Sequence, residues 1–177
     1  MKLMKCLMNL LETQPVGSVL YVSLGSFLSV SSAQMDEIIA GIRNSDTSGF
    51  KDGRADDRGI VVPWCDQLRL CHASVGGFWT LCGLNSTIES LYAGVPMLTF
   101  PIFWDQVPNS KQIVQDWKTG WRVKKPEIAS ESLVTRDEIT ELVKMFMDLN
   151  SYERKDMSKR AREVQEICRE AVAENGC

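Results

Sequence analysis

The stretch from Val75 to Phe100 constrains this chain more than any other. Val75-Gly76-Gly77-Phe78-Trp79-Thr80 has the length and the aromatic or β-branched character of a buried strand. Leu81 to Ser86 reads as a turn around Gly83. Ser86 followed by Glu89 fits the S-x-x-E capping box, which predicts a helix starting at Ser86 and running to Ala93. Gly94 suits the left-handed position at a helix end, and Pro96 cannot continue the helix. Met97 to Phe100 is the next strand. Strand, turn, helix, strand is the unit of an α/β fold with a parallel sheet.

In such a unit a helix N-terminus sits at the carboxyl end of a strand. Its first backbone N–H groups lack intrahelical partners and carry partial positive charge, so they suit a phosphate. Gly83 lets the backbone approach a ligand closely, and Asn85 and Ser86 add side-chain donors. Open α/β sheets bind ligands in the crevice at the carboxyl ends of their strands. Two other segments point to the same crevice: Ile60 to Pro63, ending in Trp64, and Met97 to Phe100, followed by Trp104-Asp105-Gln106. An aromatic for a base, a helix end for phosphates and an acid–amide pair for hydroxyls suggest a nucleotide sugar.

The chain of 177 residues suits one domain with a real core. Its net charge of −3, with dispersed lysines and arginines, argues against nucleic acid as the main partner. No apolar run is long enough to span a bilayer. The opening residues mimic a signal peptide only faintly, because Lys5 and Asn9 interrupt the apolar run; Met4, Leu7, Met8 and Leu11 instead share one face of a short helix. Six cysteines without a C-x-x-C pair read as reduced thiols of a cytoplasmic protein. Cys65, Cys71, His72 and Cys82 match no common zinc spacing, so no metal is expected.

Taken in order, Ser18 to Ser23 is the first strand and Gly25-Ser26 the turn after it. Ser31 with Gln34 fits a capping box, and Met35, Ile38, Ile39 and Ile42 mark the apolar face of the helix that follows. Asn44 to Arg58 is polar and glycine-containing and reads as a loop where a doubly wound fold needs a strand. The sheet is therefore expected to lack one strand, with Ile60 to Pro63 moved beside Val19 to Ser23 and Trp64 displaced by about 4.8 Å. The alternative is a stub near Gly49 to Lys51 that keeps the original order. A short helix is expected from Asp66 to Cys71, another from Asn109 to Trp117 ending at Gly120, and a strand at Trp121 to Val123. Thr135 with Glu138 caps a helix bearing Ile139, Leu142, Val143 and Phe146. In the last helix Met157, Ala161, Val164, Ile167, Cys168 and Ala171 are expected inward. The divisions are residues 1–17 as N-terminal helix and linker, 18–123 as the Rossmann-like ligand domain, and 124–177 as helices packing on it.

Over roughly a quarter of the chain, order and spacing resemble the signature box of plant secondary-product UDP-glycosyltransferases, enzymes of two Rossmann-like halves, the GT-B fold. The matching residues are Trp64 and Gln67, Cys82-Gly83, Asn85-Ser86, Glu89 and Asp105-Gln106. Tyr21 to Ser26 also resembles the strand and phosphate-facing turn that open the donor-binding half. The resemblance implies that Trp64 and Gln67 hold the uridine, with Cys65 touching it only through backbone. It implies that Ser26, Gly83, Asn85 and Ser86 hold the diphosphate, Glu89 the ribose, and Asp105 and Gln106 the sugar. Each has a plainer reading. Trp64 can cap a sheet edge, Gln67 can be an exposed helix residue, Ser26 a turn residue, Glu89 the partner of Ser86, and Asp105 and Gln106 helix caps.

The box departs from the family at two positions, Leu81 for a histidine and Leu84 for a tryptophan. Leu81 removes one donor from the diphosphate site. The family's catalytic base lies in the other half, so this chain is read as a truncated C-terminal donor-binding half with no catalytic residue of its own, and His72 matches a structural position. The implied partners are a UDP-sugar, as co-substrate rather than cofactor, and in the intact enzyme a small acceptor such as a flavonoid. The competing expectation is an inactive UDP-binding or interaction module. A Rossmann dehydrogenase is disfavoured by the absence of G-x-G-x-x-G.

Overall fold

The computed structural model describes residues 8–25, 30–45, 59, 61, 71–123 and 133–174. Within them, four parallel strands lie side by side in chain order: β1 (Val19–Ser23), β2 (Val75–Thr80), β3 (Met97–Thr99) and β4 (Gly120–Arg122). Helix α1 (Ser32–Asn44) follows β1, and α2 (Leu84–Ala93) carries the chain from β2 to β3. Helix α3 (Gln106–Lys111), prolonged by a π turn at Gln112–Asp116, carries it from β3 to β4. Parallel neighbours need such crossovers, because no tight turn can return the chain to the same edge. Helices α4 (Arg136–Met147) and α5 (Tyr152–Glu174) follow. No helix among the described residues is long and apolar enough to cross a membrane.

The register brings Ser23, Thr80, Thr99 and Arg122 level, so all four strands end on one edge. Every residue of β2 is buried. That explains its unbroken apolar run: strands covered on both faces do not alternate. Trp79 and Leu98 pack with Ile38, Val143 and Phe146 on one face, while Phe78 and Met97 pack with Leu91 and Ile113 on the other. Phe78 and Trp79 are both fully excluded from solvent, and truncating either to alanine costs about 3–5 kcal/mol.

Arg154 ties α5 to this sheet. It is 2% exposed, donates from Nη2 to the Gly76 carbonyl, and lies 5.0 Å over the Phe146 ring. Burial, with the Arg162 charge adding to it, pushes its pKa down to about 10. Gly76 itself has no alternative, since a Cβ there would meet the Gly17 carbonyl oxygen at 1.9 Å.

Several expectations are corrected. Ser86 does not cap α2: the helix starts at Leu84, with Gly83 at the cap in extended geometry. The S-x-x-E pair therefore sits inside the helix, where residues three apart are ordinary neighbours. The Ser31 box is half formed. Ser31 Oγ accepts from the Gln34 N–H, but the Gln34 side chain leaves for Val134. Ile39 is 39% exposed and the buried face of α1 is Gln34, Ile38 and Gly41, because Gly41 packs closely under α4. Helix α3 begins three residues before Asn109, at Gln106, and ends before Lys118, which takes φ 54°, rather than at Gly120, which opens β4. In α5, Ile167 is 65% exposed: it sits one residue, about 100°, off the line Met157, Ala161, Val164, Cys168. Ala171 is exposed beyond the last covered turn.

The Thr135–Glu138 box is complete, and Gly94 ends α2 at φ 68°. The strand expected to be missing within Asn44 to Arg58, the expected displacement of Ile60 to Pro63 and the helix expected from Asp66 to Cys71 fall almost wholly outside the described residues; Val61, which is described, is 99% exposed and in no strand.

Candidate functional site

The site grows from the carboxyl end of β2. Thr80 is the last strand residue, and its carbonyl accepts the Phe100 N–H at 2.9 Å, which keeps β2 and β3 paired to their ends. The chain then turns sharply, because Cys82 takes φ 67°. A non-glycine residue in that region costs about 1–2 kcal/mol. Three bonds hold it there. Its N–H donates to Thr80 Oγ1 at 3.1 Å, its thiol donates to the Thr80 carbonyl at 3.7 Å, and its own carbonyl accepts Asn109 Nδ2 at 2.9 Å. The thiol is fully buried, and burial pushes its pKa up to about 12, so Cys82 is a structural group rather than a nucleophile.

This turn aims the N-terminus of α2 outward. Gly83 provides no side-chain cap, so the positive end of the helix is left to whatever occupies the crevice. Gly83 has φ −60°, which any residue can adopt, and among the described residues nothing lies within 4 Å of where its Cβ would be. Packing among the described residues does not require a glycine here. A ligand approaching the backbone would. Asn85 is exposed, and Ser86 and Glu89 are half-buried on the same helix.

The second wall is the segment between β3 and α3. Trp104 takes φ 41° and is 78% exposed, an unusual state for a bulky residue. Asp105 is exposed and does not cap α3 with its side chain. Gln106 Oε1 accepts the backbone N–H groups of Ile102 at 2.8 Å and Phe103 at 3.2 Å. With both lone pairs engaged, only its Nε2 remains suited to a sugar hydroxyl. Helix α3 is anchored at Ser110, whose hydroxyl lies 2.8 Å from Thr99 Oγ1 in the interior.

The structure thus brings Gly83, Asn85, Ser86, Glu89, Asp105 and Gln106 to one edge of the sheet. Ser26, Trp64, Cys65 and Gln67 lie outside the described residues. The two positions that depart from the family pattern behave differently. Leu84 is 57% exposed on the first turn of α2, whereas Leu81 is 3% exposed and joins the core with Trp79 and Phe100. His72 sits before the amino end of β2, its Nδ1 accepting the Ser74 N–H at 3.2 Å. At ~3.3 Å per residue, β2 alone separates it from the crevice by about 17 Å. Cys71 and His72 are therefore at one end of β2 and Cys82 at the other, and they do not converge.

Two contributors were not visible in the sequence. Asn109 reaches Cys82 from 27 residues away, and only the α3 geometry shows it. The left-handed Cys82 is likewise silent, because nothing in a cysteine signals positive φ.

The profile of the family described as UDP-glucoronosyl and UDP-glucosyl transferase matches residues 6–161. UDP-glycosyltransferase 87A2 of Arabidopsis thaliana is 53% identical, the match covering 94% of this chain and 39% of the relative. The Phytolacca americana UGT2 complexed with UDP-2fluoro-glucose and pterostilbene superposes with a TM-score of 0.84 at 35% identity, covering 96% of this chain and 41% of that one. Os79 from O. sativa in complex with UDP gives 0.80 at 28% identity, over 93% and 39%. The chain therefore spans about two fifths of the length of the relatives it matches.

Proposed function

As this chain belongs to the UDP-glucoronosyl and UDP-glucosyl transferase family, we propose that it is the donor-binding half of a glycosyltransferase that moves a sugar, glucose by preference, from UDP to a hydroxyl of a small acceptor such as a flavonoid. The observation that carries the reading is the N-terminus of α2 at Gly83, which no side chain among the described residues caps or approaches, beside Asp105 and Gln106. Backbone donors of the α2 first turn, with Asn85, Ser86 and Ser26, hold the diphosphate. Glu89 takes the ribose, Asp105 and the Gln106 amide nitrogen take the sugar, and Trp64, the Cys65 backbone and Gln67 take the uridine. The reaction is a single displacement at the anomeric carbon. The same donors stabilise charge developing on the leaving UDP, and a base outside these residues removes the acceptor proton.

Calorimetric titration of the purified chain with UDP tests this reading. Saturable binding that weakens in Asn85→Ala is expected; the absence of binding at millimolar UDP would overturn it. A second reading is favoured by the placement of His72 at the far end of β2 from the crevice. In it, the chain holds UDP but does no chemistry alone. Turnover of UDP-glucose with a flavonol by this chain would rule that out and bring Asp105 into consideration as a base.

A further inference from the structure

We propose that Asn109 is a positioning residue of the donor site, the clamp that holds the phosphate-facing turn in its left-handed form. The inference rests on the reading of the α2 N-terminus as the diphosphate site. Cys82 is the residue at which the chain leaves β2, and its φ of 67° sets the direction in which Gly83 and the first turn of α2 present their N–H groups. Left alone, a cysteine relaxes out of that region. Two of the three bonds that prevent this come from Thr80, within the same strand end. The third, from Asn109 Nδ2 to the Cys82 carbonyl at 2.9 Å, comes from another element and grips the backbone itself, whereas Phe100, Ser110 and Thr99 meet only the thiol.

That element is itself fixed. Ser110, the next residue, is fully buried and its hydroxyl meets Thr99 Oγ1 at 2.8 Å, so α3 cannot drift from β3. The Asn109 amide also lies 3.5 Å from Asp105 Oδ2, on the segment assigned to the sugar. One side chain therefore references the phosphate turn to the sugar wall. An amide suits this position because it donates to a carbonyl and a carboxylate without carrying charge.

The test compares the whole chain with Asn109→Ala and Asn109→Asp. In Asn109→Ala, UDP affinity measured by calorimetry should fall by about tenfold, the loss expected when one ordinary hydrogen bond no longer holds the turn. At about pH 7.5 the carboxylate of Asn109→Asp accepts but cannot donate, and affinity should fall further. At about pH 4, where an ordinary aspartate is about half protonated, that variant should regain ground relative to wild type as the introduced carboxyl takes up a proton and donates again. A residue that merely supports the fold would not give this pH dependence.

A second readout needs no nucleotide. The rate at which iodoacetamide labels Cys82 in the unliganded chain, followed by peptide mass spectrometry, should rise several-fold in Asn109→Ala as the turn opens. Wild-type affinity and wild-type labelling in both variants would overturn the clamp. Failure of the wild-type chain to bind UDP would overturn the donor-site reading instead, and unchanged Cys82 labelling would then reject the clamp on its own.

Discussion

Gln34 and Val134, 100 residues apart, exchange a complete amide pair. Gln34 Nε2 donates to the Val134 carbonyl at 2.9 Å, and the Val134 N–H donates to Gln34 Oε1 at 3.0 Å. Both residues are buried. The pair imitates one rung of a sheet and fixes the entry to α4 against α1. Glu37 and Arg136 close the same junction on its exposed side, with Nη2 to Oε1 at 2.6 Å.

Gln34→Ala should destabilise the chain by about 2 kcal/mol or more, because it leaves a buried N–H and a buried carbonyl without partners. Urea unfolding measures this. Arg136→Ala, removing an exposed and solvent-screened ion pair, should cost distinctly less by the same method. Equal costs would mean that the amide pair is not what secures the junction.

Acid lability should trace to the same junction. The Arg136 side chain beside Glu37 holds that carboxyl below its ordinary value of 4.5, and the Thr135 N–H does the same for Glu138. Both carboxyls bind protons less readily folded than unfolded. Their contribution is therefore present above about pH 4.5 and is lost as pH falls through the lower folded values. The double substitution Glu37→Gln with Glu138→Gln should lower Tm at neutral pH and flatten its decline between pH values of about 5 and 3. An acid limb as steep as that of the wild type would assign the loss to other carboxylates.

The sequence carried the sheet but not the joints around it. The β2 run, the α4 stripe and the Thr135 cap are local patterns, and each depends only on residues within a few positions of one another. Ser86 and Glu89 show the weakness of that locality. Their spacing is equally natural inside a helix, so it could not reveal that Gly83 takes the cap. Arg154 reads as one charge among many on α5, and only the carbonyl of Gly76 and the ring of Phe146 explain its burial. Gln34 is similar: a capping partner by spacing, it is drawn to Val134 by tertiary packing. The placement of Gly83, Asp105 and Gln106 at the carboxyl edge of the sheet was legible from the strand and turn pattern, while the Asn109 contact depends on how α3 sits on β3.

Leu81 separates stability from ligand affinity. It is 3% exposed, so Leu81→His places an imidazole in the core beside Trp79 and Phe100. Burying that polar ring without a partner should cost about 1–3 kcal/mol. If the turn faces a diphosphate, the ring gains a partner when UDP binds. The Tm gap between variant and wild type should then narrow at saturating UDP. A gap that UDP leaves untouched would place the Leu81 side chain away from the phosphates, and an unchanged calorimetric affinity would agree.

Two glycines only a few residues apart should fail in opposite ways. At Gly76 a Cβ would lie 1.9 Å from the Gly17 carbonyl oxygen, a backbone atom that cannot swing aside. Gly76→Ala should therefore push β1 from β2 and unfold the chain at temperatures where the wild type is native. At Gly83 the backbone angle of −60° accepts alanine, and its Cβ would meet nothing within 4 Å among the described residues. The loss there is limited to the poorer helix-capping of alanine, about 1 kcal/mol or less. The added methyl nevertheless projects into the space above the α2 N-terminus, where a diphosphate must approach its backbone donors. Gly83→Ala should keep a near-native Tm and lose UDP affinity by about tenfold or more, a penalty of ~1.4 kcal/mol. Thermal melts and calorimetry on the two variants separate the roles. If Gly83→Ala bound UDP as tightly as wild type, the open space at the head of α2 would not be where the phosphates sit.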